Sequence, residues 1–345
     1  MGEAHPQLSI LNFQFSINLG VLNLITLARD GMRSDLERIW RSCFDSPPEQ
    51  VKYFFDHRYN PNACAVYIDD ESGRPVAMAH LLDASITEDG GIIPAQYICA
   101  LATRPDHQGK GYMAALLEFA RKMAVSRRQK YMIVSPGKRE YYRMFERQGF
   151  YKCFWIRRLY MTHGDLTVIS KDDPNNAGKA LLSEKGSALS GFDRAWTPTR
   201  TYSILLSDLA AVRRDLLADR EGYVGWDMDA IKFSAGGHTN SGGIIVAGTN
   251  GVDSGYAFCR DSGGLVEVSE LAAHTGFKKQ LIRDILKTYP QKDFTLRLPM
   301  SDEFFSSFGE AEPVGMIREV AGRKPIGMLT LEGVHLPYMG LEPNA

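Results

Sequence analysis

The order of regular elements occurs twice along the chain, and no other feature restricts the fold as strongly. Apolar spacing predicts strands at 25–28, 63–68, 75–82, 96–103, 131–134 and 150–155, and helices at 30–44, 49–56, 111–125 and 139–147. Pro47-Pro48 opens the second helix, and Asp69 to Gly73 is a hairpin turn. Residues 171–190, rich in Asp, Asn, Gly, Ser and Lys, read as an irregular linker. Beyond it come a helix at 205–218 and a strand or helix at 227–233. Strands at 243–248, 254–259 and 265–271 follow, then a helix at 277–288, a strand at 294–298, a helix at 303–308 and a strand at 315–320. Three strands, helix, strand, helix, strand thus appears in both halves. The pattern is that of two diverged copies of one α/β unit, without residue-level identity between them.

A length of 345 residues suits two domains, and 44% hydrophobic with 23% charged residues can build and dissolve real cores. The formal net charge of −1 supplies no global field toward nucleic acid or a membrane, so neither is expected as a partner. The basic runs at 121–122 and 127–130 read as a solvated helix face. The cysteines are odd in number (5), widely spaced and without a C-x-x-C, so neither a disulfide framework nor a zinc site is expected. Reduced thiols imply a cytoplasmic protein without a metal. Residues 8–27 are apolar but broken by Asn12, Gln14, Asn18 and Asn23, which fits neither a signal peptide nor a membrane span.

Chemistry concentrates between Gln96 and Glu118. A strand ends at Thr103, Arg104-Pro105 turns the chain, and a loop with Gly109 and Gly111 opens a long helix. The first amides of a helix lack intrahelical partners, and the helix dipole adds positive charge there. Glycines let the backbone approach a diphosphate closely, and Lys110 adds a point charge. A glycine pair before a helix also serves as an ordinary strand-to-helix turn, so the loop gains its meaning from the strand before it and the amphipathic helix after it.

Gln108-Gly109-Lys110-Gly111-Tyr112-Met113 resembles the [RQ]-x-x-G-x-[GA] cofactor motif of the GNAT acyltransferase superfamily, with Met113 departing at the last position. The string Pro105 to Leu117, the tandem architecture and the ending Pro337 to Glu342 resemble the Eis-like branch of that superfamily. The resemblance is specific over 61–150 and architectural over 200–345. It implies two tandem GNAT-like α/β domains, each a mixed, mostly antiparallel sheet flanked by helices. The division expected is an N-terminal extension at 1–23 with no assigned role, an N-acetyltransferase domain at 24–165, a linker at 166–200 and a degenerate second domain at 201–345.

The resemblance also implies an acetyl-CoA co-substrate. Leu101, Ala102 and Thr103 would face the pantetheine arm and acyl carbonyl. Gly109, Lys110, Gly111, Tyr112, Met113 and Ala114 would cradle the diphosphate, and Gly137 and Lys138 would lie near the pantetheine. Relatives protonate the leaving thiolate with a tyrosine on the helix after the fifth strand. Counting forward from Pro136 places it at Tyr142; counting back from Gly149 places it at Phe145, which has no proton to give. Tyr142 is the assignment, with Tyr141 in reserve and a purely packing role as the other reading. Where many relatives carry a Glu base, this chain has Gln96, Tyr97 and Cys99. By the resemblance, the carboxylate of Ala345 would supply the base; His80 and His107 are candidates by type alone. In the second half, Gly236-Gly237-His238 and Asn240 to Gly243 read as loop or hairpin rather than as a phosphate loop. The expected activity is direct transfer of an acetyl group to a primary amine, on a small molecule or a lysine side chain. A non-catalytic acyl-CoA sensor is the alternative.

Overall fold

The computed structural model describes residues 24–171, 206–217, 222–299, 302, 304–305 and 309–322. Residues 1–23, most of the expected linker, most of the helix expected at 303–308, and the tail holding Pro337 to Glu342 and Ala345 lie outside them.

The first half runs β1 (Leu24–Leu27), α1 (Arg33–Cys43), α2 (Pro48–His57), β2 (Cys64–Ile68), β3 (Pro75–Glu88), β4 (Gly91–Thr103), α3 (Tyr112–Ser126), β5 (Tyr131–Val134), α4 (Arg139–Glu146), β6 (Tyr151–Met161) and α5 (His163–Ile169). The second runs α6 (Leu206–Leu217), β7 (Val224–Gly225), α7 (Met228–Asn240), β8 (Ile244–Thr249), β9 (Ser254–Asp261), β10 (Leu265–Ala273), α8 (Thr275–Thr288), β11 (Asp293–Pro299) and β12 (Glu310–Glu319). The result is the mixed, mostly antiparallel, helix-flanked sheet that the family resemblance implied.

The two halves share one sheet, ordered β1-β2-β3-β4-β5-β12-β6-β11-β10-β9-β8. Only β4·β5 and β10·β11 are parallel among the pairs along that path. The order is pseudo-symmetric about the β12–β6 pair, with each half lending a strand to the other. β12 pairs with β5 through Met316↔Val134 to Glu319↔Tyr131, and β6 pairs with β11 through Phe294↔Met161 to Pro299↔Ile156. The exchange leaves neither half with an open edge at the centre.

Alternation along β3 decides which layer meets which face. Met78, His80 and Leu82 point to the side covered by α1 and α2, where Leu36, Ile39, Trp40, Val51, Phe54 and Phe55 are buried. Ala77, Ala79 and Leu81 point to the side covered by α3 and α4, against Leu116, Leu117, Ala120, Tyr142 and Phe145. Each such fully buried large side chain contributes roughly 1.5–3 kcal/mol. In the second half, α8 covers one face and α6 with α7 the other. Between α6 and the sheet lies a buried polar knot. Arg213 donates to Glu270 at 3.0 Å and to the Tyr223 hydroxyl, and the Tyr256 hydroxyl donates to Glu270.

Several elements depart from the sequence expectation, among them α5 and β7, which have no counterpart in it. β3 and β4 extend past 82 and before 96 into a projecting ribbon, turned at Asp89 (φ 51) and Gly90 (φ 72). Asp-Gly is a hairpin signal, but the polar Asp83, Ser85, Thr87 and Glu88 hid the flanking strands. β6 continues past Trp155 through Arg157 and Arg158, because its outer positions have charged partners such as Glu312. Residues 227–233 are helical: Asp227 caps α7 by accepting the Ala230 amide at 2.7 Å. Gly236-Gly237-His238 are the last turns of that helix, not a loop. Among the described residues, no helix is long and apolar enough to cross a membrane.

Candidate cofactor site and acceptor face

β4 and β5 run side by side from Ala95↔Tyr131 to Ile98↔Val134 and then part. β5 ends at Val134, while β4 continues on β3 to Thr103 with a bulge between Cys99 and Ala102. Ala100 sits at φ 46 in that bulge, a left-handed conformation costing a non-glycine residue about 1–2 kcal/mol. Among the described residues the β4–β5 pairing stops at Ile98↔Val134, and beyond it the two strands open into a wedge. Leu101, Ala102 and Thr103 lie along it. The Thr103 carbonyl is engaged by Cys43 Sγ and Gln108 Nε2, both at 3.2 Å.

After β4, Pro105–His107 forms one tight turn, pinned by Arg104 to Asp106 at 2.6 Å. Gly109 and Gly111 follow at φ 77 and φ 82. A Cβ at either would meet nothing within 4 Å, so backbone hand rather than crowding calls for glycine. Gly111 caps α3 without a side-chain hydrogen bond, and the helix closes first with Ala115 N–H to Gly111 O at 3.1 Å. Among the described residues, no N–H of 109–114 is given to a protein acceptor. Gly109, Lys110 and Gly111 are exposed, and no acidic residue occupies the first turn of α3. Tyr112 stacks on the buried Tyr67 at 4.0 Å and 23°, which fixes the start of α3 against β2. Free amides and the positive end of a helix dipole at such a place can receive an anion.

Gly137 and Lys138 are exposed in the turn between β5 and α4. Tyr142 is buried, and its hydroxyl donates to the Pro313 carbonyl of β12 at 2.6 Å. The first residues of β12 run past the end of β5, since Met316 already pairs with Val134. Pro313 is thus at the end of the sheet where the wedge opens. Phe145 packs edge-on against Phe150 at 5.6 Å. Tyr141 is half-buried on α4.

The candidate bases lie elsewhere. Gln96 is buried and donates to the Ala120 carbonyl of α3 at 3.0 Å. Tyr97 and Cys99 are buried on the opposite face. His80 is enclosed by Trp40, Phe54, Phe55 and Tyr59, and burial lowers its pKa to about 3. His107 lies beside Asp106 and Asp69 in the turn before the loop. The cysteines are free thiols, with burial pushing Cys153 up to about 12.

Several second-half residues that no sequence signal singled out pack on the first half. β7 pairs with β3 at Ser85 and Ile86, beyond the end of β2. Trp226 follows and meets Tyr97 edge-to-face at 5.2 Å. α7 packs on α2: Phe233 stacks on Tyr53 at 5.0 Å, and its carbonyl accepts the Tyr53 hydroxyl at 3.1 Å. A Cβ on Gly236 would come within 2.3 Å of that hydroxyl oxygen, which accounts for glycine inside a helix. Only the Asp227 cap was legible as a local signal.

The profile of the GNAT acetyltransferase domain matches residues 25–150, which contain both the wedge and the glycine loop. Residues 25–150 are a GNAT acetyltransferase domain. The chain's fold is Eis-like. Eis1 from Mycobacterium abscessus superposes with a TM-score of 0.59 at 12% identity, covering 85% of this chain and 72% of that one. A GCN5-related N-acetyltransferase from Kribbella flavida gives 0.61 at 13%, covering 86% and 71%. Another from Anabaena variabilis gives 0.62 at 10%, covering 86% and 72%. At such identities the likeness is one of fold. No curated protein matches the sequence. As a GNAT domain, residues 25–150 belong to an acyltransferase class.

Proposed function

We propose that this protein transfers an acetyl group from acetyl-CoA to a primary amine, on a small molecule or a lysine side chain, in the cytoplasm. The observation that carries the reading is the unclaimed set of amides at 109–114 at the start of α3, beside the wedge between β4 and β5. Those amides, with Lys110, suit a diphosphate. Leu101 to Thr103 suit the pantetheine arm, whose amides can complete a strand edge; Gly137 and Lys138 border the same end.

In direct attack, the neutral amine forms a C–N bond to the acyl carbon and the C–S bond breaks, its electron pair leaving on sulfur. The amine releases a proton and the thiolate takes one. Tyr142 is the donor proposed for the thiolate. A phenol keeps its proton at neutral pH, and a thiolate outcompetes the neutral Pro313 carbonyl because charge-assisted hydrogen bonds are stronger. The amine's proton passes to the general base and from it to solvent, and the phenolate recovers a proton from solvent. The carboxylate of Ala345 remains the base proposed by family resemblance. The second half closes the acceptor face through Trp226 and α7.

A second reading, an acyl-CoA sensor without turnover, draws on the Tyr142 hydroxyl being engaged by Pro313 and on the burial of residues 96, 97 and 99. Thermal shift with acetyl-CoA, followed by coenzyme A release with a panel of primary amines, tests both. Stabilisation with amine-dependent release is expected. Stabilisation without release on any amine selects the sensor, and no stabilisation by acetyl-CoA removes both readings.

A further inference from the structure

β12 belongs to the second half by sequence, yet it takes two hydroxyls from the first. Tyr142 donates to Pro313 O and Ser135 donates to Val314 O, each at 2.6 Å. Both carbonyls lie where β12 loses register with β6. Pro313 pairs with Trp155 and Gly315 with Phe154, so Val314 is the extra residue, and Met316 then pairs with Lys152. A bulged strand turns carbonyls out of its ladder, and they need donors from elsewhere. Gly315 makes the irregularity possible. A Cβ there would stand 2.9 Å from Phe154 Cδ2 and 3.3 Å from Phe154 Cβ, and Phe154 is fully buried. A side chain at 315 forces either the buried Phe154 ring or β12 itself to shift, and a shift of β12 carries the two carbonyls with it.

We propose that Gly315 is a positioning residue for acyl transfer. Its missing side chain seats the Pro313 and Val314 carbonyls where they hold the hydroxyls of Tyr142 and Ser135 at the mouth of the wedge. The inference rests on the reading of Tyr142 as proton donor. It makes the chemistry of the first half depend on a strand from the second.

Gly315→Ala is expected to lower kcat for coenzyme A release about ten-fold, since small displacements of a reacting group are costly, with the KM for acetyl-CoA changed less than about two-fold. Gly315→Ala/Phe154→Leu, which restores the space, is expected to recover kcat. A second arm needs no turnover. The fluorine NMR resonance of a meta-fluorotyrosine placed at 142 should move in Gly315→Ala and return in the double variant. Ser135→Ala, which frees Val314 O without a clash, should move the same resonance and covers the case in which Gly315→Ala does not fold. A resonance unmoved by these variants, or a double variant that does not recover, overturns the inference. Wild-type protein that binds acetyl-CoA but releases no coenzyme A ends the acyl-transfer role, and the resonance then reports on the hydroxyl's seat by itself.

Discussion

The Tyr142 hydroxyl donates to the Pro313 carbonyl at 2.6 Å, across 171 residues of chain. One bond thus joins the helix expected to carry the acid to the strand that the second half lends to the first. A buried carbonyl left without its donor costs about 1–3 kcal/mol, so the contact serves stability whether or not Tyr142 gives up its proton.

Tyr142→Phe separates those roles. As the acid, Tyr142 should be worth about 10²–10⁴ in kcat, with acetyl-CoA affinity preserved. Steady-state coenzyme A release and thermal shift on the same preparation read both quantities. A variant turning over at the wild-type rate would leave Tyr142 a packing residue.

Gly111→Ala forces a side chain into φ 82 at the cap of α3. The expected loss is about 1–2 kcal/mol of stability. Weaker acetyl-CoA binding should accompany it, because the amides at 109–114 lose their alignment. Isothermal titration at two salt concentrations is the check: wild-type affinity should fall with added salt, as charge-dominated binding does. Equal affinity in the variant would place the diphosphate elsewhere.

His80 gives the stability a pH dependence of known sign. Burial holds its pKa near 3 in the folded chain, against about 6.5 unfolded. Below pH 6.5 the unfolded state binds the extra proton, so His80's contribution is complete above that value and declines as pH falls toward 3. At pH 4.5 the loss attributable to this residue is roughly 2–3 kcal/mol. Chemical denaturation across pH 4–8 should show a shallower slope in His80→Leu, and identical slopes would refute the assignment.

Arg213 and Glu270 test the core of the second half. Their side chains are 0% and 7% exposed, so removing one partner strands a buried charge. Glu270→Leu alone should cost about 3–5 kcal/mol, whereas Glu270→Leu with Arg213→Met should cost much less. Urea denaturation of the four combinations gives the coupling energy, and additive losses would show the pair to be independent.

The local devices were readable in one dimension. The glycine-bearing loop after a strand, the amphipathic α3, the paired α1 and α2, and the repeated order of elements all depend on residues a few positions apart. Their periodicity reports them directly. The ribbon at 83–95 and the end of β6 were missed because polar outer positions broke the apolar pattern. α7 was ambiguous because its Gly236-Gly237 pair answers to Tyr53 of α2, a demand no neighbouring residue announces.

Sequence alone therefore determined the unit that is built and the glycine loop that opens α3, because backbone hand and helix ends are local properties. Tertiary structure decided which strand lies between β5 and β6, which carbonyl takes the Tyr142 hydroxyl, and which second-half residues pack on the first half. Those outcomes depend on strand pairing between distant segments, where register and shape choose the partner and sequence separation carries no information about it.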